Sequence, residues 1–253
     1  MLRLMVSGCN GYMGKSVVAI AENMPDVTIV AGVDVDDRQQ DDFPVFKNPN
    51  EYIKHDGVDV IVDFSNPTAL NDLLTFALDK NLPLVLCATG YSDSQLALIQ
   101  SASESIPVFR SGNMSLGINL LADLIKRACA VLGEDFDIEI VERHHKRKLD
   151  APSGTAIMLA DAANSALPYE SEYIYERESR REPRREHEIG ISAVRGGSIV
   201  GEHEVIFAGE HEVIELRHSA TSREVFAAGA IKAAVFMAKQ KENRLYNMED
   251  VLG

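Results

Sequence analysis

The chain has 253 residues, 45% of them hydrophobic, which suits one large or two modest packed domains and excludes wholesale disorder. Its formal net charge is −14 and its pI is near 4.9, so nucleic acid is repelled over most of such a surface and a small-molecule ligand fits better. Three scattered cysteines, Cys9, Cys87 and Cys129, make neither a disulfide framework nor a zinc knuckle. The first apolar run is too short for a signal peptide and no run reaches membrane-spanning length, so a cytoplasmic location is expected.

Residues 2–7 read as a short strand and residues 12–23 as a helix, with Met13, Val17, Ile20 and Ala21 at helical spacing. Strands follow at 27–34 (VTIVAGVD), 58–64 (VDVIVDF), 82–87 (LPLVLC) and 106–109, with a helix over 70–79. These strands are nearly continuous in apolar residues, as in parallel sheets covered on both faces. The β-α-β alternation predicts an α/β fold with a Rossmann-type, doubly wound parallel sheet.

After Gly112 the pattern changes. A long helix is expected over 115–132, then a strand over 136–141, a polar loop and a helix over 153–166. From 169 to 220 the chain is charged, with period-2 runs such as HEVIFAG and HEVIELRH, which predicts a mostly antiparallel sheet with one wet face. A closing helix spans 222–239 and is expected to pack back on the first domain. The expected division is 1–114 with 222–253 as a dinucleotide-binding domain, and 115–221 as a second α+β domain for substrate binding and oligomerisation.

The stretch GCNGYMGKS, residues 8–16, resembles two nucleotide loops at once. An ATP-type loop, G-x-x-x-x-G-K-S/T, needs its first glycine where Cys9 stands. The dinucleotide loop G-x-G-x-x-G also begins on Cys9, although Gly11 and Gly14 fall correctly, and a side chain at position 9 is expected to crowd the phosphate-binding amides. The second strand ends in Asp34, about 20 residues after Gly14, where a dinucleotide fold places the acid for the adenosine ribose. Asp63 is the acid that the ATP reading would use for magnesium. Asp34, with Asp36 and Asp37 beside it and Arg38 as the one nearby cation, favours NADH over NADPH by repelling the 2′-phosphate.

ERHHKRKLDAPSGTA, residues 142–156, is the densest chemistry in the chain. Arg143, Lys146, Arg147 and Lys148 surround two histidines, and Asp150–Ala151–Pro152 turns into Ser153, Gly154 and Thr155, a capped helix start. Cations, imidazoles and a helix N-terminus suit a small anion, and histidine can deliver a proton near neutral pH. The alternatives are a solvated basic loop, a minor RNA patch and a metal site. No aromatic residues interleave with the cations for stacking, and the neighbouring cations oppose a metal.

E-x-H-H-x-x-K-x-D-A-P-S-G-T-A resembles the signature of the 4-hydroxy-tetrahydrodipicolinate reductase family, also called dihydrodipicolinate reductase, and the resemblance covers nearly the whole chain. GCNGYMG is similar to that family's G-x-x-G-x-M-G loop, which accounts for the displaced first glycine. DFSNP at 63–67, ATG at 88–90, SGNMSLG at 111–117, RGGSIVGEHEVIFAG at 195–209 and HSATSREVFAAGA at 218–230 resemble its later segments. Cys87 and Ala88 depart from the family's G-T-T-G, so a hydroxyl contact from its first threonine is lost.

The resemblance implies reduction of 4-hydroxy-tetrahydrodipicolinate to tetrahydrodipicolinate by NADH or NADPH in diaminopimelate and lysine biosynthesis, with no metal. It implies His144 as acid/base group and Lys148 as a second catalytic group. It implies that His145, Ser153, Gly154 and Thr155 hold a cyclic dicarboxylate. Gly8, Cys9, Asn10, Gly11, Tyr12, Met13, Asp34, Cys87, Ala88, Thr89, Ser111, Gly112, Asn113 and Met114 are implied to line the cofactor. Domain closure over the two ligands and a homo-oligomer, a tetramer in the family, are expected as well, with no nucleic-acid or membrane partner. The alternatives are another NAD(P)-dependent oxidoreductase of an amino-acid pathway, an ATP-dependent phosphotransferase and a non-catalytic nucleotide sensor.

Overall fold

A computed structural model describes residues 1–39, 41–53 and 57–253. In chain order its elements begin with β1 (Leu2–Ser7), α1 (Tyr12–Ala21), β2 (Val27–Val33), β3 (Val45–Phe46), β4 (Val60–Asp63), α2 (Leu70–Lys80), β5 (Leu84–Leu86), α3 (Asp93–Ser103) and β6 (Val108–Arg110). They continue with α4 (Leu116–Leu132), β7 (Asp137–His144), α5 (Gly154–Ala166), β8 (Glu172–Ile174), β9 (Glu188–Arg195), β10 (Gly201–Ala208) and β11 (Val213–Ala220). The last are α6 (Glu224–Met237), β12 (Leu245–Tyr246) and α7 (Met248–Leu252). Two units result, Met1–Leu116 with Glu224–Gly253, and Gly117–Arg223.

The apolar strands of the first unit form a seven-stranded sheet in the order β12-β6-β5-β4-β1-β2-β3, with every pairing parallel. One face packs Val6, Val62, Val85 and Phe109 against α1 and α6. The other packs Met5, Ile61, Leu84 and Val108 against α2 and α3. Burial on both faces explains why these strands lack period-2 alternation. The chain leaves β1 for α1 on one face and enters β4 on the other side of β1, so the strand order reverses between β1 and β4. The carboxyl ends of the strands beside this switch point are where such sheets bind ligands.

In the second unit five strands run β11-β10-β7-β9-β8. The expected antiparallel pattern holds across β11, β10 and β7, while β9 and β8 add in parallel. Ile138, Ile140, Val205 and Phe207 alternate onto one face and pack under α4 and α5. The opposite face carries ion pairs such as Arg143–Glu204 and Arg217–Glu202.

Several features depart from the sequence reading. The strand expected to stop at Val141 runs on to His144, because β9 and β10 pair with its last residues. Helix α3 was not legible in its serine-rich sequence, since only Ile99, Ala102 and Ser103 are buried along it. Its signal is local instead: Ser92 and Gln95 form a reciprocal capping box. The short β3, β12 and α7 also went unread; β3 and β12 are two-residue edge strands that exist only by pairing with β2 and β6.

Candidate active site

The residues expected around the cofactor lie in the first unit, at the carboxyl ends of its parallel strands. Residues 8–13 follow β1, Asp34 follows β2, residues 87–89 follow β5 and residues 111–114 follow β6. Gly8 has φ +76°, and a Cβ there would sit 2.8 Å from the Phe64 backbone. A Cβ on Gly14 would sit 2.0 Å from the Gly8 carbonyl oxygen. Both glycines are therefore demanded by close packing of loop, helix and strand.

Helix α1 starts after Gly11 with no side-chain cap and no acid in its first turn, the electrostatics that suit a pyrophosphate. Asp34 accepts from the Asn10 amide (3.0 Å) and the Asp36 amide (3.1 Å), tying the loop to the end of β2. Each carboxylate oxygen keeps acceptor capacity for a ribose hydroxyl. Ser111 Oγ donates to the Asn113 carbonyl (2.8 Å), folding the segment after β6 into a tight turn. This set of residues fits a nicotinamide dinucleotide.

One expectation about this loop is corrected. The Cys9 side chain does not crowd the amides; it is 1% exposed and turns into the core, and a Cβ on Gly32 would meet its Sγ at 2.5 Å. Burial, reinforced by the Asp34 charge, pushes its thiol up to about 11. Cys87 is likewise buried, with its thiol raised by burial and by Asp63, so positions 9 and 87 offer a ligand their backbone.

The ATP alternative fails on side chains. Lys15 is exposed, Ser16 Oγ bonds back to the Tyr12 carbonyl at 3.1 Å, and Asp63 is 1% exposed and bonded to Ser65.

The second constellation lies in the Gly117–Arg223 unit. On β7, Ile138, Ile140, Glu142 and His144 share the buried face, so a carboxylate and an imidazole enter a core-facing row. Glu142 is wholly buried. Its Oε2 lies 2.6 Å from His144 Nδ1, and its Oε1 accepts the Ser153 amide at 2.9 Å. Arg195, at the end of β9, forks onto both oxygens at 2.7 Å and also donates to the Asp150 carbonyl.

Burial alone would raise the Glu142 carboxyl, but Arg195, His144 and the Ser153 amide outweigh it and hold it below the ordinary carboxylate range. A carboxylate on Nδ1 makes that nitrogen the donor and leaves Nε2 of His144 without a protein partner among the described residues.

Around this pair, Lys148 Nζ meets Asp150 at 2.9 Å, and Arg223 meets His145 Nε2 at 3.2 Å. Burial, then the charges of Arg147 and Arg223, lowers the His145 imidazole from its ordinary value. Gly154 and Thr155 open α5, with no acid in its first turn and nothing within 4 Å of a Cβ on Gly154. Ser153 is turned inward: its Oγ accepts the Ala156 amide and lies 3.1 Å from His203 Nε2. Ser153 thus has both its amide and its hydroxyl engaged within the protein.

Sequence reasoning missed Glu142, Arg195 and His203. A polar residue on the buried face of an alternating strand was the available signal for Glu142. Nothing local marked Arg195, which reaches Glu142 from 53 residues away.

Residues 2–114 match the family described as "Dihydrodipicolinate reductase, N-terminus" and residues 117–252 that described as "Dihydrodipicolinate reductase, C-terminus". A 4-hydroxy-tetrahydrodipicolinate reductase from Clostridium tetani is 50% identical, covering 100% of this chain and 97% of the relative. Its namesake from Caldanaerobacter subterraneus subsp. tengcongensis is 52% identical, covering 100% and 98%.

Among solved structures, a dipicolinate-bound dihydrodipicolinate reductase from Paenisporosarcina sp. TG-14 superposes with a TM-score of 0.82 at 26% identity, covering 99% of this chain and 98% of the other. A myo-inositol dehydrogenase from Corynebacterium glutamicum shares the fold alone, with a TM-score of 0.62 at 16% identity, covering 100% and 92%. The chain therefore belongs to the dihydrodipicolinate reductase family: it is an oxidoreductase of diaminopimelate and lysine biosynthesis that reduces 4-hydroxy-tetrahydrodipicolinate with a nicotinamide cofactor.

Proposed function

We propose that His144 is the acid/base group of this reduction and Lys148 a second catalytic group, with His145 and the amides of Gly154 and Thr155 holding the substrate carboxylates. The observation that carries this reading is the Glu142 carboxylate, which bonds His144 Nδ1 and the Ser153 amide together. One side chain thus links the acid/base ring to the helix N-terminus. His144 Nε2 is the nitrogen that gives the proton, and imidazole is the side chain whose ordinary titration lies nearest neutral pH. Lys148 and the α5 N-terminus supply positive charge for a dianionic ring in an otherwise acidic chain.

When bound, the reduced nicotinamide supplies the hydride. Residues 8–13, Asp34, residues 87–89 and residues 111–114 hold the cofactor in this reading. NADH is favoured over NADPH, because the Asp34 charge would repel a 2′-phosphate and both Arg38 and Lys47 are already matched. Arg38 closes on Asp36 (Nε to Oδ1 2.8 Å), and Lys47 lies 3.5 Å from Asp37. The reading includes a homotetramer, supported by the exposed Val194 and Val213 on the sheet face away from α4 and α5.

The test pairs binding with turnover. NADH together with pyridine-2,6-dicarboxylate should raise the melting temperature beyond NADH alone. His144→Gln should lower kcat by roughly 10²–10³-fold with NADH affinity kept. An unchanged kcat removes His144 from the chemistry.

A further inference from the structure

We infer that Glu142, gripped by Arg195, is the positioning residue of the reaction: it fixes His144 as the Nδ1–H tautomer with Nε2 as the working nitrogen, and stabilises the imidazolium that donates the proton. The inference rests on the reading of His144 as the acid/base group. Its geometry is independent of that reading.

An imidazole that must donate from a particular nitrogen needs its other nitrogen held by a third group. His144 Nδ1 lies 2.6 Å from Glu142 Oε2. The carboxylate is itself over-determined, because two Arg195 nitrogens and the Ser153 amide occupy it at 2.7 to 2.9 Å. It accepts only, so the proton between it and His144 belongs to Nδ1. Before the step His144 is protonated on both nitrogens. Once the ring's 4-hydroxyl has left as water, giving the dihydro ring, the Nε2–H bond breaks, its electron pair stays on nitrogen, and the proton goes to the ring atom beside the carbon that takes the hydride. The product is neutral His144 with Nδ1–H still on an ionised Glu142.

A buried ion pair is weak evidence for stability, since desolvation consumes most of its Coulombic gain. Glu142 and Arg195 therefore call for another explanation, and the His144 contact supplies one. The other charged or titratable groups around the pair are His203 on β10, whose ring meets that of His144 edge-to-face at 5.2 Å, and His145, Lys148 and Asp150 in the loop after β7. His203 is uncharged near neutral pH, because burial and His144 lower it to about 4. Glu142 is thus the anion in direct contact with the His144 ring.

The deciding variant is Glu142→Gln, measured beside His144→Gln. The amide keeps the size of the side chain but presents no anion to Nδ1, so the protonated ring survives only to lower pH. At pH 8, kcat should fall about 100-fold and recover as pH is lowered, moving the alkaline limb of the kcat–pH profile down by at least about one unit. NADH affinity should be retained. In ¹⁵N-imidazole NMR, neutral His144 should be the Nδ1–H tautomer in the native protein and shift to Nε2–H in the variant.

A folded Glu142→Gln with the native pH profile and tautomer overturns the inference. So does a loss of kcat that is uniform across pH with the tautomer unchanged, which is what a merely structural role produces. If Glu142→Gln does not fold, the native tautomer decides: finding Nε2–H overturns the inference, and finding Nδ1–H supports it. Full activity in His144→Gln would instead fail the parent reading, a result distinguishable because the tautomer assignment does not depend on turnover.

Discussion

Asp34 does two jobs with one carboxylate. It accepts amides from Asn10 and Asp36, which shapes the loop, and it sets the charge that a cofactor's ribose meets. Asp34→Asn keeps an acceptor in place and removes the charge. We expect it to lower the ratio of kcat/KM for NADH over NADPH by about tenfold, equivalent to roughly 1.4 kcal/mol; steady-state assays with both cofactors check this, and an unchanged ratio would sink the charge argument. Cys9 makes the converse point. Its sequence position looked disruptive, yet the rigid turn at Gly8 swings the side chain away from the loop and against Gly32. Which way one side chain points at a loop was not legible, because it depends on Gly32, a glycine on the next strand.

At the scale of elements, α6 shows how packing can reverse a propensity. Its AAGAIKAA run is an excellent helix former, and Gly229→Ala would ordinarily gain about 1 kcal/mol. A Cβ at Gly229 would lie 1.7 Å from the Met114 carbonyl oxygen, a backbone atom that cannot swing aside. Overpacking of this kind costs about 3 kcal/mol, so the expected net effect is a loss of about 2 kcal/mol, read by urea unfolding of the variant against the native chain. A gain in stability would mean that α6 slides freely over the turn after β6. Helix α5 is the simpler element: Ser153 at its N-cap and the free-standing Gly154 were both legible from the S-G-T run. The end of β7 was not. Arg143 and His144 read as loop residues until β9 and β10 pair with them.

For the whole molecule, the buried imidazoles set a pH limit on folding. His203 is lowered to about 4 from its usual 6.5, mainly by burial and next by His144. The unfolded chain binds its proton first, so stability is full above about pH 6.5 and declines as pH falls toward 4. The span corresponds to about 3 kcal/mol at most. His218 on the facing strand, also lowered by burial, acts in the same direction. Glu142 acts in a different window: its lowered carboxyl contributes stability above the ordinary carboxylate range and loses it only below. Urea midpoints at pH 7 and pH 5 should therefore differ less in His203→Gln than in the native protein, and equal differences would refute the assignment to His203.

Among the described residues no helix is long and apolar enough to cross a membrane. Against a net charge of −14, two groups of cations stand out among the described residues: those near His144, including Arg195, and Arg177, Arg180 and Arg184 around Glu139 and Glu188.

The sequence by itself determined what local physics can determine. Continuous apolar strands alternating with helices required a parallel sheet, the glycines at 8, 11 and 14 required a tight strand-to-helix turn, and S-G-T required a helix start. Tertiary structure alone decided the partners of the buried charges. Glu142 is two residues from its histidine in sequence, but whether it is an ionised clamp or an exposed acid depends on Arg195, which β9 delivers by pairing in parallel with β7. No periodicity carries that information, because a charge buried in a core is tolerated only through contacts made after the chain has folded.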